Sequence, residues 1–131
     1  MLPVLNLAQR EFGHIGSEAV AYIAELMGQS PAWVQGVVSF YTMFNKKPIG
    51  RHHIQVCRTL PCALNGAEKV TSFLKRTLGI ECGQTTPDGR YTLSEVECLA
   101  SCGTAPMMQV NDEFYENLTE EKMSQILESL K

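Results

Sequence analysis

The placing of four cysteines constrains this chain more than anything else in it. Cys57 and Cys62 stand in VCRTLPC, Cys98 and Cys102 in VECLASCGTAP: a C-x4-C pair, a long interval, then a C-x3-C pair. A thiolate is a soft, electron-rich donor suited to iron–sulfur clusters, zinc and Cu(I). Four thiolates on two short loops enclose one compact inorganic centre, so the fold must bring two distant stretches together. The fifth cysteine, Cys82, follows no ligand spacing and is expected to be a small apolar group in a strand.

The segment before the first pair is helical in pattern. Leu2 to Glu11 forms a first helix, with Pro3 tolerated in its first turn. Ser17 is the expected N-cap of EAVAYIAELM, whose Val20, Ile23, Ala24 and Met27 share a face, and Gly28 ends it. Ser30-Pro31 is a cap followed by proline at the first helical position, and opens AWVQGVVSFY. The aromatic run Ser39-Phe40-Tyr41-Thr42-Met43-Phe44 reads either as a docking surface or as packing of the helical piece onto the next domain, and packing is favoured. The polar, Pro- and Gly-containing stretch 45–50 marks a boundary, giving a helical segment at 1–47 and a second domain at 48–131.

The second part has the period of strands. His52, Ile54 and Val56 alternate with His53, Gln55 and Cys57, a strand with Cys57 at its end. Pro61 and Cys62 then open one long helix to Leu78, with Ala67, Val70, Leu74 and Leu78 inward and Gly79 as the stop. Ile80 to Thr85 is expected to be a second strand, parallel to the first through a right-handed crossover. Thr86-Pro87-Asp88-Gly89 is a turn. Tyr91 to Cys98 is extended, with a change of phase between Leu93 and Val96 that suggests a bulge. Asn111-Asp112 joins a hairpin. Thr119 caps a last helix with Met123, Ile126, Leu127 and Leu130 buried. The order βαββ(β)α is an α/β sandwich of the thioredoxin-like kind.

Composition excludes several classes. With 131 residues and a net charge of −3, the chain lacks the basic surface that nucleic-acid binding exploits. An odd number of cysteines in a chain large enough to form a core argues against a secreted disulfide framework. No apolar stretch approaches a membrane span and the N-terminus lacks a signal pattern, so a cytoplasmic location without membrane insertion is expected. Neither a Rossmann glycine fingerprint nor a P-loop is present.

For the four cysteines, zinc and a [2Fe–2S] cluster both remain open from spacing. A domain that folds without metal, with one ligand ending a strand and another opening a helix, favours the cluster over a structural zinc adaptor. Disulfide exchange is disfavoured because no C-x-x-C opens a helix. A nucleophilic cysteine is weaker still: its histidine could only be His14, His52 or His53, and the adjacent pair points to opposite faces, each as a surface or satisfied core residue. Thr59, Ser101 and Thr104, and the helix N-terminus around Cys62, are expected donors toward sulfur, which raise the potential. Arg58 is expected to point to solvent, and Gly103 to allow a close backbone approach.

The segments LNLAQREFG, AELMGQSPAWVQGVVSFYTMF, CRTLPCALNGAEKV, GQTTPDGRYTLSEVECLASCGTAP and MMQVNDEFYENLT resemble the small thioredoxin-like [2Fe–2S] subunit of the NADH dehydrogenase module of respiratory complex I, related to small subunits of NAD-linked hydrogenases and formate dehydrogenases. The resemblance implies a thioredoxin-like [2Fe–2S] ferredoxin domain behind a small all-α segment, with the cluster on Cys57, Cys62, Cys98 and Cys102. It implies an electron-transfer subunit of NADH:quinone oxidoreductase that exchanges single electrons with FMN on a larger, NADH-binding flavoprotein partner. That complex would place it in a peripheral arm on the cytoplasmic face of a membrane. Two departures stand out. Relatives usually have glycine then alanine where this chain has Ala100-Ser101, and the N-terminal segment begins later than in many of them.

Overall fold

The computed structural model describes residues 1–130. The chain divides into two compact units, Met1–Ile49 and Gly50–Lys131.

The first unit is three helices: α1 (Leu2–Phe12), α2 (Ser17–Met27) and α3 (Pro31–Phe40). Glycine in the left-handed conformation ends α1 at Gly13 and α2 at Gly28, where a Cβ would be strained. Ser30 caps α3, its side chain accepting from the Trp33 amide. Ser17 is not a cap. Extended Gly16 takes that position without a side-chain bond, and Ser17 is the first helical residue. Leu5, Ile15, Val20, Ile23, Ala24, Val34, Val38 and Phe44 form the core. Gln9 ties down the returning chain, donating to the Met43 carbonyl at 2.8 Å and accepting from the Asn45 amide at 2.6 Å. The aromatic run divides: Phe44 is buried in the helical unit's own core, whereas Phe40 is 78 % and Met43 57 % exposed. In α3 the inward positions are already taken by Val34 and Val38, which leaves Phe40 on the outer face.

The second unit contains β1 (His52–Cys57), α4 (Leu60–Leu64), α5 (Ala67–Leu78), β2 (Tyr91–Val96), β3 (Met108–Val110), β4 (Glu113–Tyr115) and α6 (Glu120–Ser129). The sheet order is β2-β1-β3-β4. β1 and β2 are parallel, with His52 opposite Tyr91 and Cys57 opposite Val96. β3 runs antiparallel to β1 and β4 to β3. Asn111, with φ of 53°, and Asp112 make the expected hairpin turn. Ile54, Val56 and Leu93 from the sheet meet Val70, Phe73 and Leu74 of α5 and Met123, Ile126 and Leu127 of α6. Each such fully buried side chain stabilises the fold by about 1.5–3 kcal/mol before ordering costs.

Three expectations are corrected in this unit. The single long helix is two, because Gly66 at φ of 100° turns the chain between α4 and α5. Ile80–Thr85 is not a strand, and the parallel partner of β1 is Tyr91–Val96. Gly83, at positive φ, turns that segment, and its amide binds the Leu93 carbonyl at 2.7 Å. The stretch therefore straps irregularly along β2, with one bridge between Thr85 and Thr92. Finally, β2 has no bulge, since its register with β1 is unbroken. Its apolar phase changes because Tyr91, Thr92 and Leu93 are all buried, whereas Glu95 faces solvent. Thr92 is buried by bonding, its hydroxyl accepting from the Gly50 amide at 2.7 Å and lying 2.8 Å from Thr85 Oγ1.

Candidate metal centre

Parallel pairing of β1 and β2 sets the geometry of the cysteines. The C-terminal ends of two parallel strands lie at the same edge, so the loops that come after them emerge side by side. Arg58 extends the ladder by one bond, its amide donating to the Val96 carbonyl at 3.0 Å. Its guanidinium meets Glu97 at 2.8 Å. The first residues of the two loops are thus clamped to each other. Sequence alone leaves Arg58 pointing freely to solvent; it is exposed but paired, with a partner 39 positions away that no local pattern signals.

Cys57 ends β1 and Cys62 lies inside α4; both are buried, in a small cluster with Ala67 and Met107. The Cys57 sulfur is 3.2 Å from Thr59 Oγ1. Burial raises that thiol, but bonds from the Thr59 side chain and from the Thr59 and Leu99 amides outweigh it, leaving it lower than an ordinary cysteine. Cys62 is pushed up to about 11 by burial and then by its neighbour Cys57, against the Met107 amide that would lower it. Cys98 and Cys102 are exposed, with sulfurs 4.0 Å apart. The Ala100 amide points at the Cys98 sulfur from 3.3 Å. Cys102 is raised by Cys98, then by burial, then by Cys57 across the site. All four thiols are free and stand in two pairs that sense each other. Leu99, between the second pair, gives its amide to the first.

Other expected participants fall differently. Thr59 does reach a sulfur, but the Ser101 and Thr104 hydroxyls do not. They lie 2.7 Å apart, and Ser101 donates to Glu116 instead. Cys62 is the third residue of a five-residue helix, so its sulfur is served by the Met107 amide from another segment and not by a helix N-terminus. Gly103 is not needed for close approach, since a Cβ there would meet nothing within 4 Å. The strained position is Ala100, at φ of 60°. Cys82 lies in the turn after α5, packed at the edge of the main core and away from the four. His53 bonds Ser94 at 2.9 Å, whereas His52, expected to be a surface or a satisfied core residue, leaves its buried Nδ1 without a partner. Ala105–Pro106 is cis.

The donor set suits a binuclear cluster. A single zinc at roughly 2.3 Å from four sulfurs would hold all of them within about 3.8 Å of one another. Among the described residues no three His, Cys, Asp or Glu side chains close on one ion. Two sulfur pairs, with backbone amides that can donate to sulfur, would suit a centre of two irons.

Comparison with known proteins shows the family of the chain. A subunit of the NADH-quinone oxidoreductase of Rhizobium meliloti is 43 % identical over 131 residues, covering the whole chain and 78 % of that protein. The mitochondrial NADH dehydrogenase [ubiquinone] flavoprotein 2 of Dictyostelium discoideum is 46 % identical over 132 residues, covering the whole chain and 53 % of that protein. Among solved structures, a crystal structure of the NAD+-reducing [NiFe]-hydrogenase in its air-oxidized state matches with a TM-score of 0.83 at 20 % identity. The match covers 97 % of this chain and 22 % of that one, and at such identity the likeness is one of fold. The family described as thioredoxin-like [2Fe-2S] ferredoxin matches residues 1–131 from end to end, and the chain belongs to it.

Proposed function

We propose that Cys57, Cys62, Cys98 and Cys102 hold one [2Fe–2S] cluster and that the chain is the electron-transfer subunit of an NADH:quinone oxidoreductase. When bound, the cluster supplies a site that gains or loses one electron without a bond being made or broken. The protein's own residues do the rest. Cys57 and Cys62, packed against Ala67 and Met107, exclude water from one half of the site. The Leu99, Ala100 and Met107 amides offer donors to sulfur charge. The exposed side, with Cys98 and Cys102, leaves a short path for an electron.

The observation that carries this reading is the meeting of two free-thiol pairs at one edge of a parallel strand pair, in a chain 43 % identical to an NADH-quinone oxidoreductase subunit over its full length. The chain has no nucleotide fingerprint of its own, so NADH and FMN belong on a larger flavoprotein partner. Exposed Trp33, Phe40 and Met43 in the helical unit, and Leu60 and Leu64 beside Cys62, offer apolar surface to such a partner. No helix among the described residues is long and apolar enough to cross a membrane; a peripheral arm on the cytoplasmic face is part of the proposal. Iron and acid-labile sulfide on anaerobically purified chain test the cluster: two of each per chain are expected, and one zinc without sulfide would refute it. Recovery of the full chain with an FMN-containing subunit tests the assignment to a complex.

A further inference from the structure

The turn that carries Cys102 is held by a carboxylate from beyond the β3–β4 hairpin. Ser101 Oγ donates to Glu116 Oε1. Thr104 Oγ1 lies 2.7 Å from Ser101 Oγ and donates back to the Ser101 carbonyl at 3.2 Å. Two backbone bonds run alongside, from the Asn117 amide to the Thr104 carbonyl at 2.8 Å and from the Leu118 amide to the Pro106 carbonyl at 3.0 Å. Residues 101 and 104 bracket Cys102, so whatever fixes them fixes its sulfur. Among the described residues the ion pairs are Arg58–Glu97, Lys75–Glu81 and Arg76–Glu120. The carboxylate beside Cys98, on Glu97, is therefore balanced by a bound cation. That of Glu116 makes no direct ion pair: Lys122 Nζ binds its backbone carbonyl, and its charge reaches the carboxyl only as a lesser influence behind the Ser101 and Thr104 hydroxyls.

We propose that Glu116 is a positioning residue for the Cys102 half of the cluster site, fixing the turn through Ser101 and Thr104 and keeping the reduction potential low. Two physical effects act in the same direction. A fixed negative charge one residue's reach from a ligand opposes the arrival of an electron. A hydroxyl committed to a carboxylate no longer donates to sulfur, and donation to sulfur is what raises potential. The inference rests on the reading that the four cysteines hold a [2Fe–2S] cluster. It gives the Ser101 departure from the family pattern a purpose, as the link between carboxylate and turn.

The test uses three substitutions in the full chain. Glu116→Gln retains an acceptor for Ser101 and removes the charge, so the midpoint in a redox titration followed by electron paramagnetic resonance rises while iron and sulfide per chain stay unchanged. Glu116→Asp, which retains the charge, keeps the midpoint below that of Glu116→Gln. Glu116→Ala removes both, and the Thr104 and Asn117 amides exchange with deuterium about tenfold faster or more, while those of Ile54 and Leu93 do not change. A fully loaded Gln variant whose midpoint stays or falls overturns the proposal, as does an Ala variant whose turn amides exchange at the original rate. The exchange is also measured before iron is supplied, so it decides even for a variant that loads poorly. Absence of iron and sulfide from the unsubstituted chain would instead refute the cluster reading, and the potential argument with it.

Discussion

The two sulfur pairs face each other across one site but are held by different physics. Cys57 and Cys62 are held by secondary structure: one closes a strand whose register with its neighbour is unbroken, the other sits in a helix, and both are buried beside Met107. Cys98 and Cys102 are held by a loop. Their segment contains no strand or α-helix, only a single 3-10 turn at Cys102–Thr104. It adopts a left-handed backbone at Ala100 and is fastened by side chains, Ser101 and Thr104 to Glu116 and Arg58 to Glu97. Hydrophobic burial and ladder bonds place the first half as a consequence of folding. The second half is positioned by polar contacts that are individually weak, and it is the half open to incoming iron.

If both halves are needed for one centre, the largest effect comes from breaking either. Cys98→Ala is expected to abolish the visible absorption of the loaded protein, and Cys62→Ala to do the same. Cys82→Ala, at the edge of the main core, leaves it unchanged. Loss with Cys82 replaced, or survival with Cys98 replaced, would break the pairing. The next effect separates the halves. In the chain before iron loading, iodoacetamide is expected to modify Cys98 and Cys102 about a hundredfold faster than Cys57 and Cys62, because the buried thiols react only through local opening. Mass spectrometry of tryptic peptides reads this directly. Equal rates would mean that the burial contrast is not a property of the protein in solution.

That contrast also explains what was legible in the sequence. The elements around the buried pair follow from local pattern: the alternation of Ile54 and Val56 ending at Cys57, the stripe of Val70 and Leu74, and the cap at Thr119 are all where periodicity puts them. Sequence failed where the decision was made at long range. Gly83 and the Leu93 carbonyl turn a β-like stretch into a strap, a choice made by a partner ten positions away. Gly66 divides a helix that the apolar stripe alone would continue. Ser101 and Thr104 have the right chemistry to serve sulfur, yet Glu116, fifteen positions beyond Ser101, outcompetes the thiols as an acceptor. A carboxylate is the stronger partner for a hydroxyl, and only the fold reveals that it is within reach.

Acid should loosen one half before the other. The Ser101 and Thr104 hydroxyls, in that order, hold the Glu116 carboxyl below the ordinary carboxylate range. A group whose folded value is depressed contributes stability that is present above its unfolded value, near 4.3, and is lost as pH falls through the folded value. In the iron-free chain the amide resonances of Ser101–Thr104 are therefore expected to shift and broaden below about pH 4, while those of Val56 and Ala67 hold. The transition disappears in Glu116→Gln. A smaller effect belongs to Ala100. Its left-handed backbone is strained for any residue with a Cβ, so Ala100→Gly is expected to stabilise the chain by about 0.5–1 kcal/mol, the relief of strain less the added freedom of the unfolded glycine. Thermal unfolding measures it, and a loss of stability would show that the loop is not strained there.

The smallest effect is expected at the clamp between the halves. Arg58 and Glu97 are 2.8 Å apart, with side chains 59 % and 73 % exposed, so water and salt screen most of their attraction. Arg58→Ala should lower the melting temperature by roughly 1 °C or less at low salt, and the difference should vanish near 1 M NaCl. The backbone bond from the Arg58 amide to Val96 survives the substitution, and it is this bond that keeps the loops side by side. The charge has a separate consequence. Removing Arg58 leaves Glu97 unbalanced beside Cys98, so the midpoint potential should fall, opposite in sign to Glu116→Gln. A potential that rises would mean that the arginine acts on sulfur through a path other than its charge.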